Sequence, residues 1–548
     1  MLSRNSSVAL YIIAGLLLLP ALLVNLGLMP LIEDEAIRAL VALEMKLSGN
    51  YLTPTIGGEL YLKKPPLYNW IVCVFFALTN NYSEFIIRLP TIISLVLFSI
   101  TIFLFVKREF GYRLALLCSF ALITSGRILL YESQKGLIDM LFSMVIYINF
   151  QVIYLISKRE KQILLYLISC FLCATGYMLK GLPAVVFQGI TFIVLVVYMR
   201  RIRVLFSVRH FAGIFLFFLA TGTYYLLYAL HNDIPLKEVF SVLMSESTRR
   251  TVMGHGWTRT LTHLFVFPFN FIYWFLPWTI LLLSLFQKGV IAKILQSGYL
   301  KYTSLIFIAN ILVYWTSPEI YGRYLIMFVP LLYIICFYGY NLLPDNSVIK
   351  KVIDFTFIIS AVLLIVVTSG IFFHPVVSMV RHGGIKTLLL LVALSALVFL
   401  LIKSREHIFP AFIIIMLIIR MGFDWFVLPY RISEPQNNSI RNSVKKVSKS
   451  TTDKPLYTYW PPYAQPDPYY GKRVANYSTM YYITSERQEI LESRSEITPT
   501  TYYLTRPCDL DTSTLYLKII IEADKNSIPY HLVYVSPMYN KQLASFGK

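Results

Sequence analysis

Two adjacent carboxylates, Asp34 and Glu35, follow the first long apolar segment of the chain. That segment, residues 8–30, runs almost without charge and is long enough to cross the hydrocarbon core of a membrane. Carboxylates gathered where a helix leaves the bilayer suggest a site, and one of them could take a proton from a substrate hydroxyl. Glu35 also begins a helical pattern, where an acid in the first turn would stabilise the helix dipole. We therefore predict that Asp34 and Glu35 are catalytic residues, and the dipole interpretation stays open for Glu35.

Basic residues follow in the same polar stretch, as the motif Lys63-Lys64-Pro65-Pro66 with Tyr61 just before it. A lysine is a compact charge that suits a phosphate group. The alternative is that these lysines anchor the chain at lipid headgroups while proline starts the next helix. The sequence makes Lys64 and Tyr61 candidates for binding a phosphate-bearing substrate.

A third acid, Asp139, stands at the end of a predicted span, within residues 134–141. A lone acid there is often a polar cap, but burying it in a helix bundle is costly without a role or a partner. We include Asp139 among the catalytic candidates. The histidines are scattered, so the sequence predicts no metal cluster, and a requirement for a divalent cation stays open.

The composition is that of a membrane protein, with 57% hydrophobic and 14% charged residues in a chain of 548. Lysine and arginine exceed aspartate and glutamate by 49 − 29 = 20, which in a soluble protein would suggest nucleic acid. Here the basic residues concentrate in short loops between apolar segments, so membrane topology accounts for most of the excess. We therefore predict a polytopic α-helical protein that contacts membrane lipids and binds no nucleic acid.

The basic loops give a consistent topology of about thirteen crossings. The predicted spans are 8–30, 84–106, 112–131, 137–156, 162–179, 183–199, 211–230, 264–286, 302–316, 321–342, 352–373, 385–402 and 408–428. Residues 67–79 are apolar but short, and we treat them as non-crossing. No cleavable signal peptide is evident. An odd number of spans predicts a cytoplasmic amino terminus and an extracytoplasmic carboxyl-terminal tail, in a multi-pass cytoplasmic (inner) membrane protein.

On this topology several basic residues face the outer side, against the usual cytoplasmic bias. Arg249, Arg250 and His255 lie in the outer loop 231–263. Arg323 and Tyr324 lie where the span 321–342 begins at the outer face. Binding a lipid phosphate is one reason to place cations there. We include these residues, like Lys64, among the candidates for binding a lipid phosphate.

The chain divides into a transmembrane domain, residues 1–430, and a soluble extracytoplasmic domain, residues 431–548. The tail loses the apolar runs, and its pattern predicts strands at 455–460, 500–506 and 529–536 with a polar helix near 485–494. It is long enough for a small α/β domain. The first outer loop, 31–66, is predicted to hold a helix that lies along the membrane surface.

These motifs together resemble the polyprenyl-phosphate-sugar-dependent glycosyltransferases of the GT-C fold, the protein O-mannosyltransferase superfamily, which includes lipid A aminoarabinose transferases like ArnT. The resemblance rests on Asp34-Glu35, Glu44-Met45, residues 48–51, Lys64-Pro65-Pro66-Leu67 and Asp139. Tyr324, six residues before Pro330, resembles the tyrosine that the family places at the lipid phosphate. The match is densest over residues 30–90 and extends loosely over 1–430.

The resemblance implies specific roles. Asp34 would be the base, and Lys64, Arg249 or Arg250 and Tyr324 would surround the donor phosphate. The chemistry would be an inverting transfer of one sugar at the outer face. The partners would be a polyprenyl-phosphate-linked sugar donor and a lipid, glycan or protein acceptor. This chain has Asp34-Glu35-Ala36-Ile37-Arg38 in place of the family's D-E-x-R-Y, and Lys63 where a glutamate often precedes the lysine, so neither sugar nor acceptor is assigned.

Two other functions stay open. A transporter or lipid flippase of the same cell-envelope pathway would carry charged residues at mid-membrane depth, whereas here they collect towards one face. The lack of a visible internal repeat also favours an enzyme over a transporter. A catalytically idle scaffold is the third alternative.

Overall fold

The computed structural model describes residues 2–248, 257–459, 476–505, 519–521 and 530–535. The chain forms two compact units. The membrane unit comprises Met1–Leu26, Lys63–Leu67 and Arg88–Leu428, and the tail unit comprises Gly27–Leu62, Tyr68–Ile87 and Pro429–Lys548. Part of the first outer loop therefore groups with the tail. The division into domains at residue 430 stays a prediction.

The first half of the chain is built from eleven described α-helices. They are α1 (Leu2–Leu23), α2 (Glu33–Ser48), α3 (Leu67–Thr79), α4 (Glu84–Phe110), α5 (Tyr112–Ile123), α6 (Gly126–Leu130), α7 (Ile138–Lys158), α8 (Ile163–Lys180), α9 (Pro183–Met199), α10 (Val208–His231) and α11 (Leu236–Thr248).

The second half continues in the same way. Its described α-helices are α12 (Trp257–Trp274), α13 (Val290–Gln296), α14 (Gly298–Trp315), α15 (Val329–Asn341), α16 (Val348–Ser369), α17 (Val376–Met379), α18 (Gly383–Lys403), α19 (Ile408–Gly422), α20 (Leu428–Ser433), α21 (Pro435–Ser450) and α22 (Tyr477–Arg487). Short 3₁₀ segments cover Glu132–Gln134, Ile202–Val204, Trp278–Phe286, Gly322–Phe328, Gly370–Phe373 and Arg405–His407, and a π-helical turn covers Phe423–Val427.

Eight helical segments among the described residues are long and apolar enough to cross a membrane, or ten if two bent pairs count as one span each. The bent pairs are Tyr112–Ile123 with Gly126–Gln134, at 48°, and Thr260–Trp274 with Trp278–Phe286, at 119°. Each of the thirteen predicted spans overlaps a helix or a helix pair, although the first helix ends at Leu23 and the predicted span 8–30 continues beyond it. This confirms the polytopic helical fold class, while the count of thirteen stays a prediction.

The tail unit contains a hairpin and a mixed sheet. In the hairpin β1 (Thr55–Ile56) pairs antiparallel with β2 (Glu59–Leu60). The sheet has five described strands in the order β4-β3-β5-β7-β6. The strands are β3 (Leu456–Tyr459), β4 (Ser493–Arg494), β5 (Thr501–Thr505), β6 (Ile519–Ile521) and β7 (Tyr530–Val535).

The strands of this sheet run in mixed directions. Strand β3 runs parallel to β4 and β5, and β7 runs antiparallel to β5 and β6. Strands β3, β5 and β7 fall where the sequence predicts strands. The predicted helix near 485–494 is instead α22, eight residues earlier. Asn476 caps α22 by accepting from the backbone amides of Ser478 and Thr479, and Gln488 ends it in the left-handed conformation.

Two segments that the sequence places at the outer face contain helices. The predicted outer loop 231–263 contains the helix α11, which has apolar residues at helical spacing. Helix α2 lies in the first outer loop and has residues 35–45 buried, and its position along the membrane surface stays a prediction. Its charged residues Arg38 and Glu44 are buried because each has a partner within the tail unit.

Candidate active site

A cavity of about 430 Å³ opens within the membrane unit. Its lining combines charge with apolar surface. The charged and aromatic lining residues are Lys63, Lys64, Lys180, Glu319, Tyr177, Tyr314 and Tyr324, and the apolar ones include Leu182, Pro183, Val186, Phe240, Leu243, Met244 and Val313. A cavity with this lining can hold a small charged group together with an apolar chain.

Asp139 lies in the first turn of α7 and is buried, with 8% of its surface exposed. Lys180, the last residue of α8, forms an ion pair with its carboxylate. The Lys180 ammonium also stands 3.9 Å from the centre of the Tyr324 ring. Lys180 therefore joins Asp139 to the cavity wall.

A second cation reaches the same carboxylate. Arg323 Nε lies 3.5 Å from Asp139 Oδ2. Its guanidinium carbon stands 4.6 Å from the centre of the Tyr321 ring and 5.6 Å from that of Tyr324. Cation–π contacts of this kind fix both the charge and the rings. Asp139 is thus held between two cations and is not a lone polar cap, and its catalytic role stays a prediction.

The structure brings Lys64 to this cluster as well. Lys64 lines the cavity with Lys180, and its charge is close enough to interact with Asp139. Lys64, Asp139, Arg323 and Tyr324, four of the residues singled out in the sequence, therefore belong to one region of the membrane unit.

An ion pair between Arg127 and Glu132 lies against the backbone that carries Arg323 and Tyr324. Arg127 Nε lies 2.6 Å from Glu132 Oε1, and the Arg127 guanidinium stands 5.1 Å from the Tyr131 ring centre and 5.3 Å from that of Trp274. The same guanidinium packs so closely on Gly322 that a Cβ added there would lie 2.5 Å from Arg127 Nε. Gly322 precedes Arg323 and Tyr324, so Arg127 fixes the segment that carries them.

The remaining candidates of the first loop lie in the tail unit. Asp34 is partly exposed and Glu35 is fully buried, both in the first turn of α2. One turn later Arg38 donates a hydrogen bond to the Tyr61 hydroxyl at 2.5 Å. Tyr61, which the sequence assigned to the phosphate group, thus meets an arginine from the Asp34 helix.

Glu44, towards the other end of α2, is a further residue of the first-loop motif. Its carboxylate accepts hydrogen bonds from Thr55 Oγ1 at 2.7 Å and from the backbone amide of Gly57 at 2.6 Å. Gly57 and Gly58 have φ of +61° and +75°, which side-chain-bearing residues rarely adopt. Glu44 therefore ties the hairpin to α2 and has a structural role.

Arg249, Arg250 and His255 lie outside the described residues. Within the part of the chain that the structure describes, His, Cys, Asp and Glu form no group that could hold a metal ion.

Lys180 is the residue that sequence reasoning missed. It directly follows the predicted span 162–179, and on the predicted topology it is an outer-face cation, as Arg323 is. This exception to the cytoplasmic bias of basic residues is the signal that could have identified Lys180. Its pairing with Asp139, 41 residues earlier, has no signature in the sequence.

Comparison with known proteins gives a consistent result. A sequence profile of the dolichyl-phosphate-mannose-protein mannosyltransferase family matches residues 63–225, which include Lys64, Asp139 and Lys180. An uncharacterized protein of Aquifex aeolicus is 26% identical over 242 residues, 43% of this chain and 47% of that protein. Undecaprenyl phosphate-alpha-4-amino-4-deoxy-L-arabinose arabinosyl transferase 1 of Proteus mirabilis is 27% identical over 177 residues, 31% of each chain. The matched segments thus span less than half of these curated relatives.

Structural similarity extends much further. The crystal structure of ArnT from Cupriavidus metallidurans bound to undecaprenyl phosphate superposes with a TM-score of 0.69, covering 96% of this chain and 98% of that one at 16% identity. The apo form gives a TM-score of 0.66 with 15% identity. The chain therefore has the fold of these ArnT structures. This agrees with the fold that the resemblance of the first-loop motif implies.

Proposed function

We propose that this chain is a membrane glycosyltransferase that moves one sugar from a polyprenyl phosphate donor to a hydroxyl or phosphate on a lipid, glycan or protein acceptor. The observation that carries the proposal is the cavity in which Lys64, Lys180 and Tyr324 meet an apolar wall. Phosphate needs cations, and a polyprenyl chain needs apolar surface. The arabinosyl transferase and ArnT named above are linked to undecaprenyl phosphate by their names, which supports this donor class.

In this mechanism the acceptor oxygen attacks the anomeric carbon as the bond to the phosphate oxygen breaks. The leaving polyprenyl phosphate gains negative charge, which Lys64 and its neighbouring cations stabilise. Asp34 takes the proton from the acceptor hydroxyl. The role of Asp34 rests on the resemblance of its motif, and that of Lys64 on its place in the cavity wall.

The role of Asp139 differs from that of Asp34. Because it lies between Lys180 and Arg323, it holds these cations in place and offsets part of their mutual repulsion. A carboxylate engaged by two cations is a weak base, so we assign the proton transfer to Asp34 and the positioning of cations to Asp139.

We infer further that transfer takes place on the outer face of the cytoplasmic membrane and that the tail is extracytoplasmic. This follows from the odd number of predicted spans and from the cations at the ends of α8 and of the Gly322–Asn341 span.

The transporter alternative predicts an open, charged path at mid-membrane depth. A described charged pair deep in a long span is Arg420 with Asp424, 2.9 Å apart. Both side chains have 0% exposure, and Arg420 Nη1 donates to Ser133 Oγ at 3.0 Å. This pair is enclosed and lines no aqueous path, which favours the enzyme.

The test is Lys64→Ala in the purified full-length protein with a polyprenyl phosphate sugar. Loss of one charge-assisted contact of about 1.5–3 kcal/mol should lower kcat/KM for the donor by roughly one to two decades. Lys301→Ala is the matched control, because Lys301 is exposed and does not line the cavity. Unchanged donor kinetics with a raised KM for the acceptor would assign Lys64 to the acceptor instead. Absence of any transfer by the unmodified chain from a panel of polyprenyl phosphate sugars would reject the enzyme.

A further inference from the structure

A second cavity, of about 530 Å³, lies wholly within the tail unit. Its wall is formed by residues 79–84, which join α3 to α4, and by faces of α21 and α22. The volume is within the range of about 300–1,000 Å³ typical of small-molecule sites. The proposed transfer mechanism uses none of its lining residues.

A partly buried ion pair forms part of the wall of this cavity. Arg441 Nε donates to Glu84 Oε1 at 2.8 Å, and its Nη1 donates to the Leu28 carbonyl at 2.8 Å. Its Nη2 bonds Glu84 and the Gly27 carbonyl. Each guanidinium nitrogen is thus engaged by a protein oxygen, and the Glu84 charge compensates the arginine. Arg441 is therefore not available to bind an anion.

The rest of the lining is polar and balanced in charge. Lys445 and Glu486, both exposed, supply one charge of each sign. Asn81, Tyr82 and Ser485 add amide and hydroxyl groups that serve as donors and acceptors. A neutral ligand rich in hydroxyls needs both kinds of partner, whereas an anion needs uncompensated cations. The lining thus favours a neutral carbohydrate.

Hydrogen bonds connect this cavity to the segment that carries Asp34. The Tyr482 hydroxyl donates to Glu84 Oε1 at 2.7 Å and accepts from the backbone amide of Leu31 at 2.8 Å. Ser478 Oγ donates to the Leu31 carbonyl at 2.9 Å, and α22 packs against α2. Burial, and then the Glu84 carboxylate, raise the pKa of the Tyr482 hydroxyl, so it stays a donor across the physiological range. Leu31 is three residues before Asp34.

We propose that this cavity binds a neutral carbohydrate part of the acceptor. The tail unit would then both recognise the acceptor and carry the base. That the bound sugar is part of the acceptor rests on the proposed function, whereas binding of a neutral sugar in this cavity does not.

The binding test uses saturation-transfer NMR on the purified full-length chain in a detergent without a sugar headgroup. The probes are lactose and chitobiose, with the ³¹P line width of inorganic phosphate as the anionic comparison. Lys445→Trp should place a ring across the cavity, and Lys449→Trp, one turn away on the same helix, also exposed and not in the cavity lining, is its matched control. We expect the unmodified chain and Lys449→Trp to saturate at least one sugar, and Lys445→Trp to lose the effect. Glu486→Ala, a smaller change in the part of the wall that α22 forms, should weaken it too.

Three results would overturn the proposal: no saturation of either sugar, saturation that Lys445→Trp leaves intact, or phosphate broadening that this substitution removes. The kinetic test separates the two proposals. With a working transfer assay, Lys445→Trp should raise the KM for a carbohydrate-bearing acceptor about tenfold, equivalent to about 1.4 kcal/mol, and leave the donor KM unchanged. If the chain binds sugar but transfers none, the proposed function fails and the site stands. If it transfers with an unchanged acceptor KM, the acceptor role alone is wrong.

Discussion

Asp34 and Asp139 are both acids of the sequence-predicted site, but their surroundings suit them to different work. Asp139 is buried against Lys180 and Arg323, whereas Asp34 is partly exposed in the first turn of α2. A base must be reachable by its substrate, and a positioning carboxylate must be held. We therefore expect Asp34 to act as the base and Asp139 to position the cations.

Asp34→Asn should abolish transfer and leave folding nearly unchanged. The amide keeps the size of the side chain but cannot take a proton, and a partly exposed site should lose less than about 1 kcal/mol of stability. Transfer and the midpoint of thermal unfolding are measured on the same purified sample. Glu59→Gln, which removes an exposed carboxylate of the same unit, should leave transfer intact. Near-normal transfer by Asp34→Asn would remove Asp34 as the base.

Lys180→Met should destabilise the membrane unit, because it takes a partner from a buried carboxylate. Breaking a buried pair costs about 3–5 kcal/mol, and we expect the lower end or less because Arg323 still faces Asp139. The double variant Asp139→Asn/Lys180→Met should recover much of the thermal midpoint but not the transfer activity. Recovery of both would mean that the pair is only structural. If the midpoint of Lys180→Met does not fall, the ion pair contributes nothing to stability.

At the scale of elements, the charged cluster around Asp139 is formed by residues at helix ends and in a 3₁₀ segment, not by residues in helix interiors. Asp139 begins α7, Lys180 ends α8, and Arg323 lies in the 3₁₀ segment before α15. The sequence could predict these helices because long apolar runs define them almost without regard to context. It could not predict that α7 and α8 place Asp139 beside Lys180, since such pairing depends on how helices pack.

Gly322→Ala should disturb this arrangement without touching a charged group. Its Cβ would lie 2.5 Å from Arg127 Nε, and Arg127 cannot move freely because Glu132 and two aromatic rings hold it. Overpacking of this kind costs about 1–3 kcal/mol, and transfer should fall because Arg323 and Tyr324 shift. Gly384→Ala is the control, since nothing lies within 4 Å of its added Cβ. Equal behaviour of the two variants in thermal unfolding and transfer would contradict a positioning role for Arg127.

At the scale of the whole molecule, the sequence predicted the class of fold well and the grouping of its parts less well. The strands at 456–459, 501–505 and 530–535 follow from their β-branched and aromatic runs. The grouping of residues 27–62 with the tail does not follow from composition. It depends on long-range bonds such as that between Leu31 and Tyr482, 451 residues apart.

The membrane topology determines on which side of the membrane the tail lies. About thirteen spans from a cytoplasmic amino terminus place the tail outside the cytoplasmic membrane. A reporter active only outside, fused after Lys548, should therefore be active, and one that works only inside should be silent there. Fused instead within residues 342–347, ahead of Lys350-Lys351, the two reporters should exchange behaviour, which controls for expression. Activity of the cytoplasmic reporter at Lys548 would mean an even number of crossings, with Leu67–Thr79 as a true span. The carbohydrate cavity of the tail unit would then face the cytoplasm and could not meet an acceptor at the outer face.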